Sequence, residues 1–143
     1  MKTSSHRGFE FLAHTADIKV RAWGKTLARC AAEVARGMQT AMFEGKLPSL
    51  RKPASVRTIR VCASSPPDLL IDFLNELIAV MDERNEVYPR VEVDTGDGKC
   101  WRARLEGGNP ARKPRLEVKA ATYNALTLER RRGKWVAEVV FDV

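Results

Sequence analysis

Ser65-Pro66-Pro67-Asp68-Leu69-Leu70-Ile71-Asp72-Phe73-Leu74-Asn75-Glu76-Leu77-Ile78 opens with the signals that start a helix. Ser65 is a candidate N-cap, Pro66 stands at the first helical position, and Asp68 complements the positive end of the helix dipole. Leu69, Leu70, Phe73, Leu74, Leu77, Ile78 and Met81 follow at three-to-four spacing, which makes a wide apolar stripe. Upstream, residues 56–63 alternate as a strand with Ile59 and Val61 on the buried face. Before them Thr26 is an N-cap candidate for a second amphipathic helix running to about Phe43, with Gly45 as its stop. Residues 9–12 read as a short strand, and 17–23 alternate, with Ile18, Val20 and Ala22 on one face.

Downstream of Asn85 everything reads as sheet. Strands are expected at 88–93, 100–105, 116–123 (with Lys119 mid-strand) and 134–142, and residues 124–129 continue the third with a bend. Gly96-Asp97-Gly98 is a turn, 107–114 a loop and 130–134 a charged hairpin tip. Runs of antiparallel strands with segregated helices give an α+β class. The expectation is a single domain over residues 1–143, mainly antiparallel β-sheet or sandwich. Its two amphipathic helices pack on one side, and residues 1–8 are flexible.

With 143 residues, 44% of them hydrophobic, the chain has the makings of one ordinary globular core. No apolar run reaches the roughly 18 residues of a membrane span, and the first residues do not resemble a secretory leader. The three cysteines, Cys30, Cys62 and Cys100, form no C-x-x-C pair and sit inside apolar patterns. They are read as reduced, buried packing residues of a cytosolic protein. A net charge of +7 favours polyanionic or acidic partners.

Asp17 opens one strand and Asp142 closes another, although Asp is depleted from strands. If the two strands are antiparallel neighbours, the carboxylates converge, and like charges held close favour a cation between them. Hard divalent cations take oxygen ligands. Val143 would add a third oxygen through its terminal carboxylate or carbonyl. The alternative leaves Asp17 as a turn cap and Asp142 as a solvated residue. His14 reads as a turn residue or a metal ligand, and Lys119 as an outward strand lysine or a cation aimed at phosphate. No Gly-rich phosphate loop, H-E-x-x-H or G-x-S-x-G is present, and His6 and His14 are the two histidines. No self-contained catalytic constellation emerges.

Phe9-Glu10-Phe11-Leu12-Ala13-His14-Thr15-Ala16-Asp17, followed by Ala22-Trp23-Gly24-Lys25-Thr26-Leu27, resembles the opening of the archease family. Leu69-Leu70-Ile71-Asp72-Phe73-Leu74-Asn75-Glu76-Leu77 resembles its central helix. Glu117-Val118-Lys119-Ala120-Ala121-Thr122-Tyr123 and the ending Val140-Phe141-Asp142-Val143 resemble its C-terminal signature. The blocks occur in the family's order and cover nearly the whole chain. The resemblance implies a cytoplasmic protein cofactor, not an enzyme, for an RtcB-type RNA ligase. That ligase seals RNA ends bearing a 3′-phosphate or 2′,3′-cyclic phosphate in tRNA splicing and RNA repair. The implied role is to promote guanylylation of the ligase's active-site histidine, so that RNA and GTP are met through the ligase and no membrane is involved. It also implies a divalent metal (calcium, magnesium or manganese) at an acidic site, carried by Asp17 and Asp142. Lys119 and His14 are the matching ligase-activating positions. The residue before His14 is often acidic in the family and is Ala13 here, which removes one potential oxygen donor. Two other readings stand beside this one. A basic RNA-binding module would use Arg102, Arg104, Arg112, Lys113 and Arg115, and a metal-dependent hydrolase would lack a defined base and nucleophile.

Overall fold

The computed structural model describes residues 7–12, 17–51 and 54–143. In chain order the elements are β1 Gly8–Leu12, β2 Asp17–Gly24, α1 Leu27–Met42, β3 Ser55–Cys62, α2 Pro66–Arg84, β4 Val87–Asp94, β5 Cys100–Gly108, β6 Ala120–Arg131 and β7 Lys134–Asp142. The expected flexible segment lies almost wholly outside the described residues. Thr26 and Ser65 cap the two helices as their sequence positions suggest, accepting from the backbone N–H of Arg29 and Asp68. Asn85 ends α2 in the left-handed conformation, φ 55°, a region that Asn tolerates better than most residues.

The strands form two antiparallel sheets, one in the order β1-β2-β7-β6 and the other β3-β5-β4. The α+β class and single domain are as expected. Each sheet carries the helices on one of its faces: α1 packs on β1, β2 and β7 of the first sheet and on β4 of the second, while α2 packs on β6, β3 and β5. The helices are therefore the filling between the sheets. The core lies at their contacts, where Val34, Met38, Leu70, Phe73, Leu74, Trp101 and Phe141 are all buried. Trp101 meets Phe73 edge to face with centroids 6.2 Å apart.

Two helix amides fasten this filling to the sheet edges. Gln39 of α1 is fully buried; its Oε1 accepts from Tyr88 N at 2.6 Å and its Nε2 donates to Tyr88 O at 2.9 Å. Tyr88 lies where the β4–β5 register shifts, between Val87↔Gly108 and Arg90↔Glu106. Gln39 thus takes both peptide groups that an edge strand would leave unpaired. The backbones approach closely at this bulge. A Cβ on Gly107 would stand 1.8 Å from Val87 O, so glycine is required there. Asn75 of α2 does the same for Ala121 on β6, the edge of the other sheet. Its Oδ1 accepts from Ala121 N at 2.8 Å and its Nδ2 donates to Ala121 O at 3.3 Å.

Below the Tyr88 bulge, Glu86 is only 7% exposed and is surrounded by donors. It accepts from Arg57 Nε and Nη2, each at 3.1 Å, from Ser55 Oγ at 3.0 Å and from Tyr88 Oη at 2.6 Å. The Arg57 bonds dominate, burial opposes them, and Tyr88 and Ser55 add to them, so the carboxyl titrates down at about 2.

Two expectations are corrected. The strand holding Lys119 starts later, at Ala120. Residues 115 and 116 give their N–H groups to Met42 O, an orphan carbonyl at the end of α1, and this draws the segment away from the sheet. The second correction concerns cysteine. Cys30 is buried, with its thiol pushed up to about 12 by burial and by nearby Glu33. Cys62 and Cys100, however, are joined in a disulfide between β3 and β5, and Cys62 is exposed. They sit at outward positions directly opposite each other, a matter of strand register that each strand's own pattern does not contain.

Gln39→Leu keeps the volume but strands the N–H and C=O of Tyr88. It should cost about 2–4 kcal/mol in urea unfolding with an unchanged m-value. Glu86 titrates below its ordinary 4.5, so its contribution is present above that pH and lost as the pH falls toward about 2. Glu86→Gln should therefore be less stable than the parent at neutral pH, with the gap closing between about pH 5 and pH 2. A gap independent of pH would assign the loss to something other than the ionised carboxylate.

Candidate functional site

Strands β2 and β7 are the two central strands of the first sheet, and their register pairs Asp17 with Asp142. The next pairs on alternate positions, Val20↔Val139 and Ala22↔Ala137, sit in or against the core on the helix side. By the two-residue period, Asp17 and Asp142 share the opposite face. On that face a ladder of charges runs toward them. Arg21 Nη1 bonds Glu10 Oε1 at 2.8 Å, Arg21 Nε bonds Glu138 Oε2 at 2.8 Å, and Lys19 Nζ lies 3.0 Å from Glu138 Oε1. Burial pushes the Glu138 carboxyl upward, but the bonds from Lys19 and Arg21 outweigh it and hold the group below the usual range. Beyond Lys19 the alternation of sign stops, and the final pair is carboxylate opposite carboxylate.

Asp142 is exposed and Asp17 half-buried. Ala120 of β6 flanks Asp142 on the other side, and Lys119 N donates to Asp142 O at 2.8 Å. Asp17, Asp142, Lys119 and Val143 thus gather at one end of the sheet. The Lys119 side chain lines a groove of about 470 Å³ beside α2, with Asn75, Asp82 and Glu117. A neighbouring cleft of about 380 Å³ is more apolar, with Phe43, Met81 and Val118 in its wall. Asp17 and Asp142 line neither space. His14 lies outside the described residues.

As a donor set, the facing aspartates offer hard oxygen to a divalent cation, with further positions left to backbone oxygen or water. Among the described residues no group of three or more His, Cys, Asp and Glu forms a metal-holding cluster. The residues present fit a hydrated, oxygen-loving cation and do not fit a thiolate- or imidazole-rich site. Sequence reading did not single out Asp82, which lines the same groove as Lys119, because a charged residue on an exposed helix turn carries no signal of what packs beside it. The basic set also divides. Arg112 donates to Lys46 O at 3.1 Å and stacks over Phe43, with 5.4 Å to the ring centroid, while Arg115 pairs with Glu44 at 3.3 Å. Both close off the C-terminal end of α1, where cations offset the negative dipole end.

The sequence matches the model of the Archease protein family (MTH1598/TM1083) over residues 9–143. The chain belongs to the archease family. It is 33% identical to protein archease of Methanosarcina mazei over 150 residues, covering 98% of this chain and 99% of that protein. It is 34% identical to protein archease of Thermococcus kodakarensis over 144 residues, covering 96% and 99%. The fold resembles the solution structure of Methanobacterium thermoautotrophicum protein 1598, with TM-score 0.72 and 24% identity over 95% of this chain and 99% of that one. It also resembles the crystal structure of a Thermotoga maritima archease described as a possible chaperone, with TM-score 0.65 and 22% identity over 92% and 94%. No helix among the described residues is long and apolar enough to cross a membrane.

Like charges directly opposite on neighbouring strands disfavour the fold. In the presence of a chelator, Asp142→Asn should therefore raise stability by roughly 0.5 kcal/mol, read from urea midpoints. A loss of stability would mean that the Asp142 carboxylate is already neutralised by a protein cation.

Proposed function

We propose that this chain is a non-catalytic accessory factor that activates an RtcB-type RNA ligase by promoting guanylylation of its active-site histidine, in support of tRNA splicing and RNA repair. The observation that carries the reading is the opposition of Asp17 and Asp142 at the end of the central strand pair, in a chain that belongs to the archease family. The description of the Thermotoga maritima relative as a possible chaperone accords with a role exerted on a partner protein.

In this reading Asp17 and Asp142 hold a divalent cation of the calcium, magnesium or manganese class, with an oxygen of Val143 as a further donor. Such a cation supplies charge neutralisation for phosphate oxygens. Lys119, exposed at the same end of the sheet, presents a second positive group, and His14 belongs to the same functional set. Nucleotidyl transfer depends on positioned positive charge around phosphates. A helper acts by docking this sheet end at the mouth of the ligase site, where Asp142 and Lys119 order the ligase's own groups. RNA and GTP are met only through the ligase, and the setting is the cytoplasm. The RNA-binding alternative is weakened by Arg112 and Arg115, which are engaged at the end of α1.

Two measurements test the proposal. In a guanylylation time course of the partner ligase, the parent protein should accelerate nucleotide transfer and Asp142→Ala should not, with its circular dichroism unchanged; full stimulation by that variant rejects the reading. Separately, saturating calcium or manganese should raise the thermal midpoint of the parent by a few degrees, about 2–3 kcal/mol at ~100 times the dissociation constant. Asp17→Asn and Asp142→Asn should each abolish the rise.

A further inference from the structure

The disulfide between Cys62 and Cys100 closes the β3–β5 ladder at its last register pair. The ladder below it runs continuously from Ser55↔Gly107, and Ala63 N still donates to Lys99 O beyond it at 3.0 Å. The two strands are thus held in register by backbone bonds on both sides of the sulfurs. Cleaving the bond leaves the cysteines facing each other, with Cα atoms 4.0 Å apart in the bonded state.

The surroundings of the two sulfurs differ. Cys62 is exposed, whereas Cys100 is half-buried and accepts a contact from Arg60 Nη2 at 3.4 Å. On the same outward face Arg60 stands directly opposite Arg102. Opposed like charges cost stability in a sheet, and among the described residues neither arginine has an ion pair. Asp94 is the register partner of Arg102 from β4; its carboxylate accepts the Gly96 N–H at 2.9 Å and forms no ion pair with Arg102. An exposed disulfide therefore sits beside a cationic pair, on a protein whose other cysteine is deeply buried.

We propose that Cys62–Cys100 is a thiol-exchange site for an anionic low-molecular-weight thiol. The incoming thiolate is drawn in by Arg60 and Arg102 and attacks Sγ of Cys62, the exposed sulfur. A bond forms between the external sulfur and Cys62, the Cys62–Cys100 bond breaks, and its electron pair leaves on Cys100. The Arg60 guanidinium stabilises that leaving thiolate, which selects Cys100 as the leaving group. A second external thiolate attacking the external sulfur of the mixed disulfide releases the small-molecule disulfide and frees Cys62. Alternatively, Cys100 returns to Cys62, expels the external thiol and restores the bond. The protein disulfide is the oxidant and the external thiol the reductant, so each route balances. A bond of this kind also accords with the reducing cytoplasm proposed above, where protein disulfides are usually transient. The proposal rests on the β3–β5 geometry and stands or falls independently of the ligase reading.

The test uses the purified, oxidised full chain, with glutathione as the anionic probe and cysteamine as the cationic one, each rate corrected for thiolate fraction. The glutathione-to-cysteamine ratio should drop about fivefold in Arg60→Gln and in high salt, and recover in Arg60→Lys. Acid-quenched peptide mapping should place the glutathione adduct on Cys62. Circular dichroism should show the same fold in oxidised and reduced chains. An adduct on Cys100, a rate ratio indifferent to Arg60 and salt, or reduction that requires denaturant would each overturn the proposal.

Discussion

Each helix reaches across to the edge of a sheet with one amide side chain, and the layered arrangement depends on those two contacts. A sheet edge presents peptide groups that must be paired, covered or hydrated. Here the edge strands β4 and β6 are closed from the inside, by Gln39 on Tyr88 and by Asn75 on Ala121. A side-chain amide carries the same donor and acceptor as a peptide unit, so one residue satisfies both groups of its target. Apolar contact supplies most of the stabilisation but is tolerant of sliding. The amides are directional, and they set where each helix stops along its strand.

That constraint reaches the candidate site. Ala121 is the register partner of Phe141 on β7, and Ala120 that of Asp142. The Asn75 contact therefore holds β6 at the height where Asp142 ends the neighbouring strand. The register of β2 against β7 follows from burial: slipping by one residue would turn Val20, Ala22, Val139 and Phe141 away from the helices. The opposition of Asp17 and Asp142 is then a by-product of core packing. Residues buried for stability position two carboxylates that are unfavourable neighbours.

Much of the fold was legible because its signals are local. Ser65, Pro66 and Asp68 mark a helix start irrespective of what the helix later touches, and alternation in 17–23 and 100–105 reports a half-buried strand wherever its partner lies. What stayed hidden was relational. Cys62 and Cys100 are separated by 38 positions and meet only because two strands share a register. Gln39 and Asn75 look like ordinary polar residues on amphipathic helices, and nothing in their neighbours announces a bulge or an edge within reach. Lys119 was placed inside a strand because its flanks alternate, whereas the carbonyl of Met42 draws the preceding backbone away. The pairing of Asp17 with Asp142 was readable only conditionally, from the oddity of acids at strand ends.

The net charge of +7 invites a picture of a uniformly basic protein, and the arrangement of partners argues otherwise. Arg112 and Arg115 neutralise the carbonyl end of α1, Arg57 holds Glu86, and Lys19 and Arg21 hold Glu138. These cations serve the fold, so the net charge alone does not describe a uniform basic face. Two local concentrations of like charge stand out: an acidic pair at the end of the first sheet, and opposed arginines on the outer face of the second. In each place one cross-strand register pair sets like charge against like, which is unfavourable for that pair. The two places differ in sign. Under the two proposals above, the first place would take a cation and the second an anionic thiol, so the two ligands would not compete for one position.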